Sequence, residues 1–256
     1  MVLLHADGEN RRDWEWVLEG LASRCEVFAP DLPGFDGTGC PVDCSPGFFE
    51  GFVRDFVDAL DLGPVVVVGN SLGGVAALRL ALHSPGRVSA LGLVGAAGLG
   101  AQVSLALRQL TLPAVGEAAV GWGRTPVGAA QRALLRVPLL FANPARVPPG
   151  WLAEQYRLGM LPGFLATTLA ALRGQVGPAG QRHVLIDDLP RLAVPTLLLW
   201  GDRDRVVPVA QARAAVQRVP HADLAVLPAT GHLPHVEQPD WFVASVLAFL
   251  SAGGPD

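Results

Sequence analysis

Val65-Val66-Val67-Val68-Gly69-Asn70-Ser71-Leu72-Gly73-Gly74 decides the reading of this chain. Four consecutive valines after Pro64 mark a strand buried on both faces, as a parallel strand between two layers of helices is. The stretch Leu72 to His83 reads as a helix. Between strand and helix stands a G-x-S-x-G turn. In that setting the turn holds its serine in a strained backbone conformation, and small flanking residues let strand and helix approach closely. The Ser71 hydroxyl is then exposed. The helix N-terminus turns its N–H groups and dipole toward the same spot, so an oxyanion forming beside Ser71 meets the N–H of Leu72. The plainer alternative is a glycine-rich turn without chemistry.

Outward from this turn the same alternation repeats. Toward the N-terminus the chain predicts a strand from Val2 to His5, a helix from Asp13 to Ala22, a strand from Glu26 to Ala29 and a helix from Phe48 to Leu60. Toward the C-terminus it predicts strands at Val88 to Val94, Thr196 to Trp200 and Leu224 to Leu227, with helices at Val209 to Val219 and Trp241 to Leu250. Alternation of this kind argues for an α/β fold, a mostly parallel sheet flanked by helices. Residues 97–192 break the pattern. Leu105 to Leu110, Ala129 to Leu140 and Trp151 to Leu161 read there as helices interrupted by Pro113, Pro126, Pro138, Pro148 and Pro162. The expected organisation is a core of residues 1–96 and 193–256 with a helical cap insertion, 97–192, over the strand ends.

Bulk properties narrow the partners. The 256 residues are 50% hydrophobic and 16% charged, with a net charge of −4. That balance suits one large buried core. Every basic residue is arginine, scattered singly or in pairs, so no footprint for nucleic acid exists. No apolar run reaches the length of a membrane span, and the first residues do not read as a basic segment followed by an apolar stretch, as a signal peptide would. Cys25, Cys40 and Cys44 contain no CxxC pair; free thiols and a cytoplasmic location are expected, with a Cys40–Cys44 bridge as the alternative.

A serine hydroxyl needs a base within hydrogen-bond reach, and the base needs an orienting group. His232, in the loop Ala229-Thr230-Gly231-His232-Leu233-Pro234 after the last predicted strand, is the best-placed histidine; His235 and His221 are its rivals. The strand ending Leu199-Trp200-Gly201-Asp202-Arg203-Asp204 offers two carboxylates, and spacing does not choose between them. Asp187 and Asp188 precede that strand and read as an exposed turn. A zinc site from His232, His235 and Glu237 lacks the helical HExxH arrangement. Gly69 to Gly74 lacks the G-x-G-x-x-G spacing of a dinucleotide site. No cofactor and no metal are expected.

Taken together, these motifs resemble the α/β-hydrolase family over nearly the whole chain, specifically its capped members: carboxylesterases, C–C bond hydrolases, lactonases and haloperoxidase-like enzymes. The family's W-G-x-x-D pattern is similar to Trp200 to Asp204 and implies Asp204 as the acid. Its G-H-x-x-x-x-E-x-P pattern is similar to Gly231 to Pro239 and implies His232 as the base. Asp31-Leu32-Pro33-Gly34-Phe35 and His83 to Val88 resemble structural stretches of the family. The family's oxyanion loop begins His-Gly; here it is His5-Ala6-Asp7-Gly8, and the resemblance implies Asp7 N–H as second oxyanion donor beside Leu72. Members normally carry a strand hairpin of about twenty residues before this point. Here the hairpin is expected to be missing, unless the chain starts earlier than residue 1, and the strand around Val27 is then expected at an exposed edge. Branches with an aspartate nucleophile are excluded by Ser71.

The resulting expectation is a serine hydrolase cleaving an ester or related acyl bond of a small hydrophobic substrate, through Ser71, His232 and Asp204, as a monomer or homodimer. Leu105, Leu139, Leu140, Phe141, Trp151, Met160, Leu161 and Phe164 are expected to line or cover its pocket or to pack between the insertion's helices. One alternative is C–C bond cleavage of the meta-cleavage type, against which Leu233 stands where such enzymes usually carry Trp. The other is a non-catalytic small-ligand receptor on the same fold.

Overall fold

The computed structural model describes residues 1–253 except 36, 38 and 40. Five strands form a wholly parallel sheet: β1 (Val2–Leu4), β2 (Val65–Asn70), β3 (Val88–Val94), β6 (Thr196–Gly201) and β7 (Ala222–Leu227), side by side in that order. Parallel neighbours need crossovers, and helices supply them. On one face lie α1 (Glu15–Ala22) and α11 (Pro239–Gly253), which bury Trp14, Val17, Leu21, Phe242 and Val246 against Leu3, Val68, Val94 and Leu199. On the other lie α2 (Pro46–Ala59), α3 (Leu72–His83) and α9 (Ala210–Val216), packed on Val2, Leu4, Val67 and Leu198. Helix α2 shows how the chain sets such an element. The Ser45 hydroxyl caps it by accepting from the Phe48 N–H at 3.2 Å, Pro46 opens its first turn, and Phe49, Val53 and Val57 recur every four residues on its buried face.

Between β3 and β6 run α4 (Leu105–Leu110), α5 (Val115–Gly123), α6 (Pro126–Leu140), α7 (Pro149–Met160), α8 (Phe164–Gln175) and a two-stranded hairpin, β4 (Val176–Gly177) with β5 (Gly180–Gln181). A short helix, α10 (Pro234–Glu237), precedes α11. Phe141, Trp151 and Phe164 of the helical segment share one buried cluster with Phe35 and Phe49, so this segment continues the core on that face. No helix among the described residues is long and apolar enough to cross a membrane.

Two expectations need correction. Glu26 to Ala29 is not a strand: it makes one parallel bridge, Val2 to Phe28, through Leu3 N–H to Phe28 O and Phe28 N–H to Met1 O, both 2.8 Å. Pro30, which has no N–H, follows and stops the ladder. Pro138 does not interrupt its helix, because it lies in the last turn of α6, where the carbonyl it leaves unpaired belongs to exposed Leu134. Helices α5 and α8 add to the three segments named within the helical stretch 97–192. Cys25 is a free thiol and Cys40 lies outside the described residues.

Candidate active site

All the candidate residues stand at the carboxyl ends of the strands. Ser71 follows β2 with φ 51° and ψ −108°, a left-handed-side conformation that side chains rarely adopt. Three backbone bonds hold it there: Ser71 N–H to Val94 O at 3.0 Å, and Ala97 N–H and Val75 N–H to Ser71 O at 3.1 Å. The glycines around it are dictated by contact. A Cβ on Gly69 would lie 2.2 Å from Gly73 O, and one on Gly73 would lie 2.3 Å from Leu4 O. Leu72 opens α3, so its N–H has no intrahelical acceptor and is available to an incoming oxygen.

Asp204 and His232 meet after β6 and β7. His232 Nδ1 lies 2.8 Å from Asp204 Oδ2, with both side chains almost wholly buried. Asp204 Oδ1 accepts from the N–H groups of Val206 and Val207 at 2.8 and 2.9 Å. The carboxylate is an acceptor on both oxygens, so Nδ1 carries the ring proton and Nε2 is left to accept one. His232 and Ser71 line the same cavity. The histidine loop is fixed from behind by Glu237, whose carboxylate accepts from Gly231 N–H at 2.7 Å, Asn143 N–H at 2.8 Å and Ala142 N–H at 3.1 Å. Asn70, inside the turn motif, donates to Val94 O at 2.8 Å and to His232 O at 3.2 Å, tying three strand ends together.

The rivals lie elsewhere. Asp202 accepts from Thr230 N–H at 3.3 Å on the outer side of the loop. Asp187 and Asp188 pair at the surface with Arg218 and Arg191. His221 is exposed. His235 is buried and stacked on Trp14 with ring centroids 4.1 Å apart, and burial pushes its imidazole down to about 3. His232, His235 and Glu237 therefore do not converge on one point; among the described residues no group of three or more metal-ligating side chains does.

Asp7 follows β1 and lines the cavity with Ser71. Ala6, where the related families carry glycine, is buried, and the positive φ of this loop falls at Gly8, 74°. The His5 ring anchors the loop: Leu32 N–H donates to Nε2 at 2.9 Å, so Nδ1–H donates to Ala6 O at 2.8 Å.

The cavity is about 490 Å³, within the range of small-molecule sites, and its long arm is apolar, bounded by Leu107, Leu110, Val115, Trp122, Leu169 and Leu172. Of the eight pocket side chains expected from sequence only Leu139 and Leu140 line it; Phe141, Trp151 and Phe164 are packed in the core, and Leu105 is 63% exposed. The other end is charged. Glu9 pairs with Arg136 and accepts from Gln155 Nε2 at 2.5 Å, while Arg132 donates to Gln155 O at 3.2 Å and Gly8 O at 3.3 Å. Sequence reasoning missed this cluster; two arginines four residues apart on a helix face shared with Leu135 and Leu139 were the available signal.

Comparison with known proteins agrees with this architecture. The sequence model described as Alpha/beta hydrolase family matches residues 1–245. An uncharacterized protein of Mycobacterium tuberculosis is 31% identical over 274 residues, covering 100% of this chain and 76% of its own length. The 2-hydroxymuconate semialdehyde hydrolase of Pseudomonas putida is 31% identical over 230 residues, covering 88% of this chain and 76% of its own. Among solved structures, a thermophilic esterase from Thermogutta terrifontis superposes with a TM-score of 0.80 at 24% identity, covering 99% of this chain and 90% of that one, a likeness of fold.

Proposed function

Because the chain belongs to the alpha/beta hydrolase family and has its fold, we propose that it is a serine hydrolase that cleaves an ester of a small, largely apolar substrate. Ser71 is the nucleophile, His232 the general base and Asp204 the carboxylate that orients it. The reading rests on one observation above others: Asp204 holds His232 through Nδ1, and His232 lines the same cavity as the strained Ser71.

In this mechanism His232 Nε2 takes the Ser71 proton as Oγ attacks the ester carbonyl. The N–H groups of Leu72 and Asp7 receive the oxyanion. Collapse of the adduct breaks the bond to the alcohol, which leaves with the proton from His232, and an acyl-enzyme remains. Water, deprotonated by the same imidazole, then releases the acid and restores Ser71. The segment 97–192 acts as the cap, and its apolar arm holds the acyl or alcohol chain.

A second reading, C–C bond cleavage by the same residues, draws support from the similarity to 2-hydroxymuconate semialdehyde hydrolase. Leu233 stands against it. Fluorophosphonate labelling with peptide mapping, together with a p-nitrophenyl ester panel on wild type and Ser71→Ala, tests the proposal. Labelling confined to the Ser71 peptide and ester hydrolysis lost in Ser71→Ala are expected. Labelling elsewhere removes Ser71 from the mechanism, and ligand-dependent stabilisation without turnover of any ester would favour a receptor.

A further inference from the structure

Asp7 is in an unusual position for an acidic residue. It belongs to the loop whose backbone N–H is the proposed second oxyanion donor, and it lines the cavity together with Ser71 and His232. Its Oδ1 is buried and has no hydrogen-bond partner among the described residues.

The groups around it set its charge. From its own loop come Glu9 and a hydrogen bond from Gly8 N–H; from α6 come Arg132 and Arg136; from α8 comes the Thr168 methyl, against Gly8; Ser71 and His232 line the same cavity. Both arginines bond elsewhere, Arg136 through its terminal nitrogen with Glu9 and Arg132 with Gln155 and Gly8 O, and Arg136 Nε, though buried, has no partner among the described residues. Burial pushes the Asp7 carboxyl up to about 8, against the pull of Arg136 and then Arg132. At neutral pH the group therefore keeps its proton, and a protonated carboxyl on a residue that lines the cavity is able to donate to a substrate oxygen.

We propose that the Asp7 carboxyl is a substrate-contacting group that donates a hydrogen bond to a second oxygen of the substrate, one borne close to the scissile carbonyl. The side chain belongs to the residue whose N–H is the proposed oxyanion donor, which places its attachment point next to the reacting carbonyl in this mechanism. The substrate class that fits is an ester with an alkoxy, hydroxy or keto oxygen next to the cleaved group and an apolar tail beyond. A plain alkanoate leaves the buried donor unpaired, and sites built to hydrogen-bond a substrate discriminate strongly against analogues that lack the partner.

The inference rests on the reading of Ser71 and His232 given above, and its test separates the two. The probes are p-nitrophenyl methoxyacetate and p-nitrophenyl butyrate, which differ by oxygen in place of one methylene. The readout is the ratio of their kcat/KM values, in which the pH dependence common to both esters cancels. In the wild type the ratio is expected to be constant to pH 7 and to fall severalfold between pH 7 and 9 as the donor ionises. Asp7→Asn, whose amide still donates, is expected to keep the ratio at pH 7 within about threefold and to lose the alkaline fall. Asp7→Leu is expected to lower it about tenfold, the equivalent of one hydrogen bond.

A ratio unchanged in an active Asp7→Leu, or an alkaline fall that persists in Asp7→Asn, overturns the role of Asp7 alone. Should Asp7→Leu not fold, the Asp7→Asn profile decides by itself. Hydrolysis of both esters that survives in Ser71→Ala overturns the proposed function, and this inference with it.

Discussion

His232 Nδ1 and Asp204 Oδ2 are 2.8 Å apart, and the other oxygen of Asp204 is already taken by two backbone N–H groups. Three donors on one side chain leave no room for a donor in return. In Asp204→Asn the amide has a single accepting oxygen, so either the Val206 and Val207 N–H groups or the imidazole loses its partner and the ring tautomer is no longer fixed. The expected result is a fall in kcat of about 10³–10⁴-fold with little change in KM, as for other orienting carboxylates. Steady-state kinetics on a p-nitrophenyl ester, with a melting curve to show the fold is kept, measures it; a fall under tenfold would exclude Asp204 from this role.

The approach of α3 to β1 makes a separate prediction about stability. A Cβ on Gly73 would stand 2.3 Å from Leu4 O, a backbone atom that cannot turn aside, whereas one on Gly86 meets nothing within 4 Å. Gly73→Ala should cost about 3 kcal/mol or prevent folding, in the upper range for an overpacked core, and Gly86→Ala less than about 0.5 kcal/mol. Urea denaturation of both variants checks the contrast. Equal midpoints would mean the strand and helix are less close than described.

How much of this was legible in sequence depended on whether a residue's task is local. The strand-turn-helix at Val65 to His83 was readable because strand period, glycines and helix start all act over neighbouring residues, and its bounds agree with β2 and α3 to within two residues. Helix α5 was not. It starts from Ala114 at φ 66° and leaves Trp122 and Val115, which line the cavity, 53% and 44% exposed, so neither cap nor apolar stripe announces it. Pocket lining was unreadable for a related reason: a leucine facing a cavity and one packed against another helix obey the same periodicity. The choice of Asp204 over Asp202 came from family resemblance; its physical reason, bonds to the N–H groups two and three residues on, became visible only in three dimensions.

Acid sensitivity should trace in part to His235. Its ring is buried between Trp14 and Phe242, neither nitrogen has a partner, and burial lowers it from 6.5 to about 3. Between those values the unfolded chain binds a proton that the folded chain does not. The stability present above pH 6.5 is therefore lost as pH falls toward 3, at up to about 1.4 kcal/mol per pH unit. His235→Phe forfeits no hydrogen bond and keeps a ring on Trp14. The difference in unfolding free energy between variant and wild type should widen in the variant's favour from pH 6.5 to 5, and a constant difference would count against the assignment.

The apolar arm bounded by Leu107, Leu110 and Leu172 predicts a dependence on acyl chain length. Each methylene that enters it is worth about 0.8 kcal/mol, or up to about fourfold in kcat/KM, until the arm is full. For the wild type kcat/KM should rise from butyrate through hexanoate and octanoate esters and then level off. Replacing Leu110, on α4 and away from the catalytic residues in sequence, with tryptophan fills part of the apolar lining, so butyrate hydrolysis should change less than threefold while the octanoate ester loses about tenfold. Because both esters share the reacting atoms, a general disturbance of the site would lower them together. A variant that lost both equally would place the acyl chain outside this arm and turn attention to the charged end, where Arg132 and Arg136 would then face it.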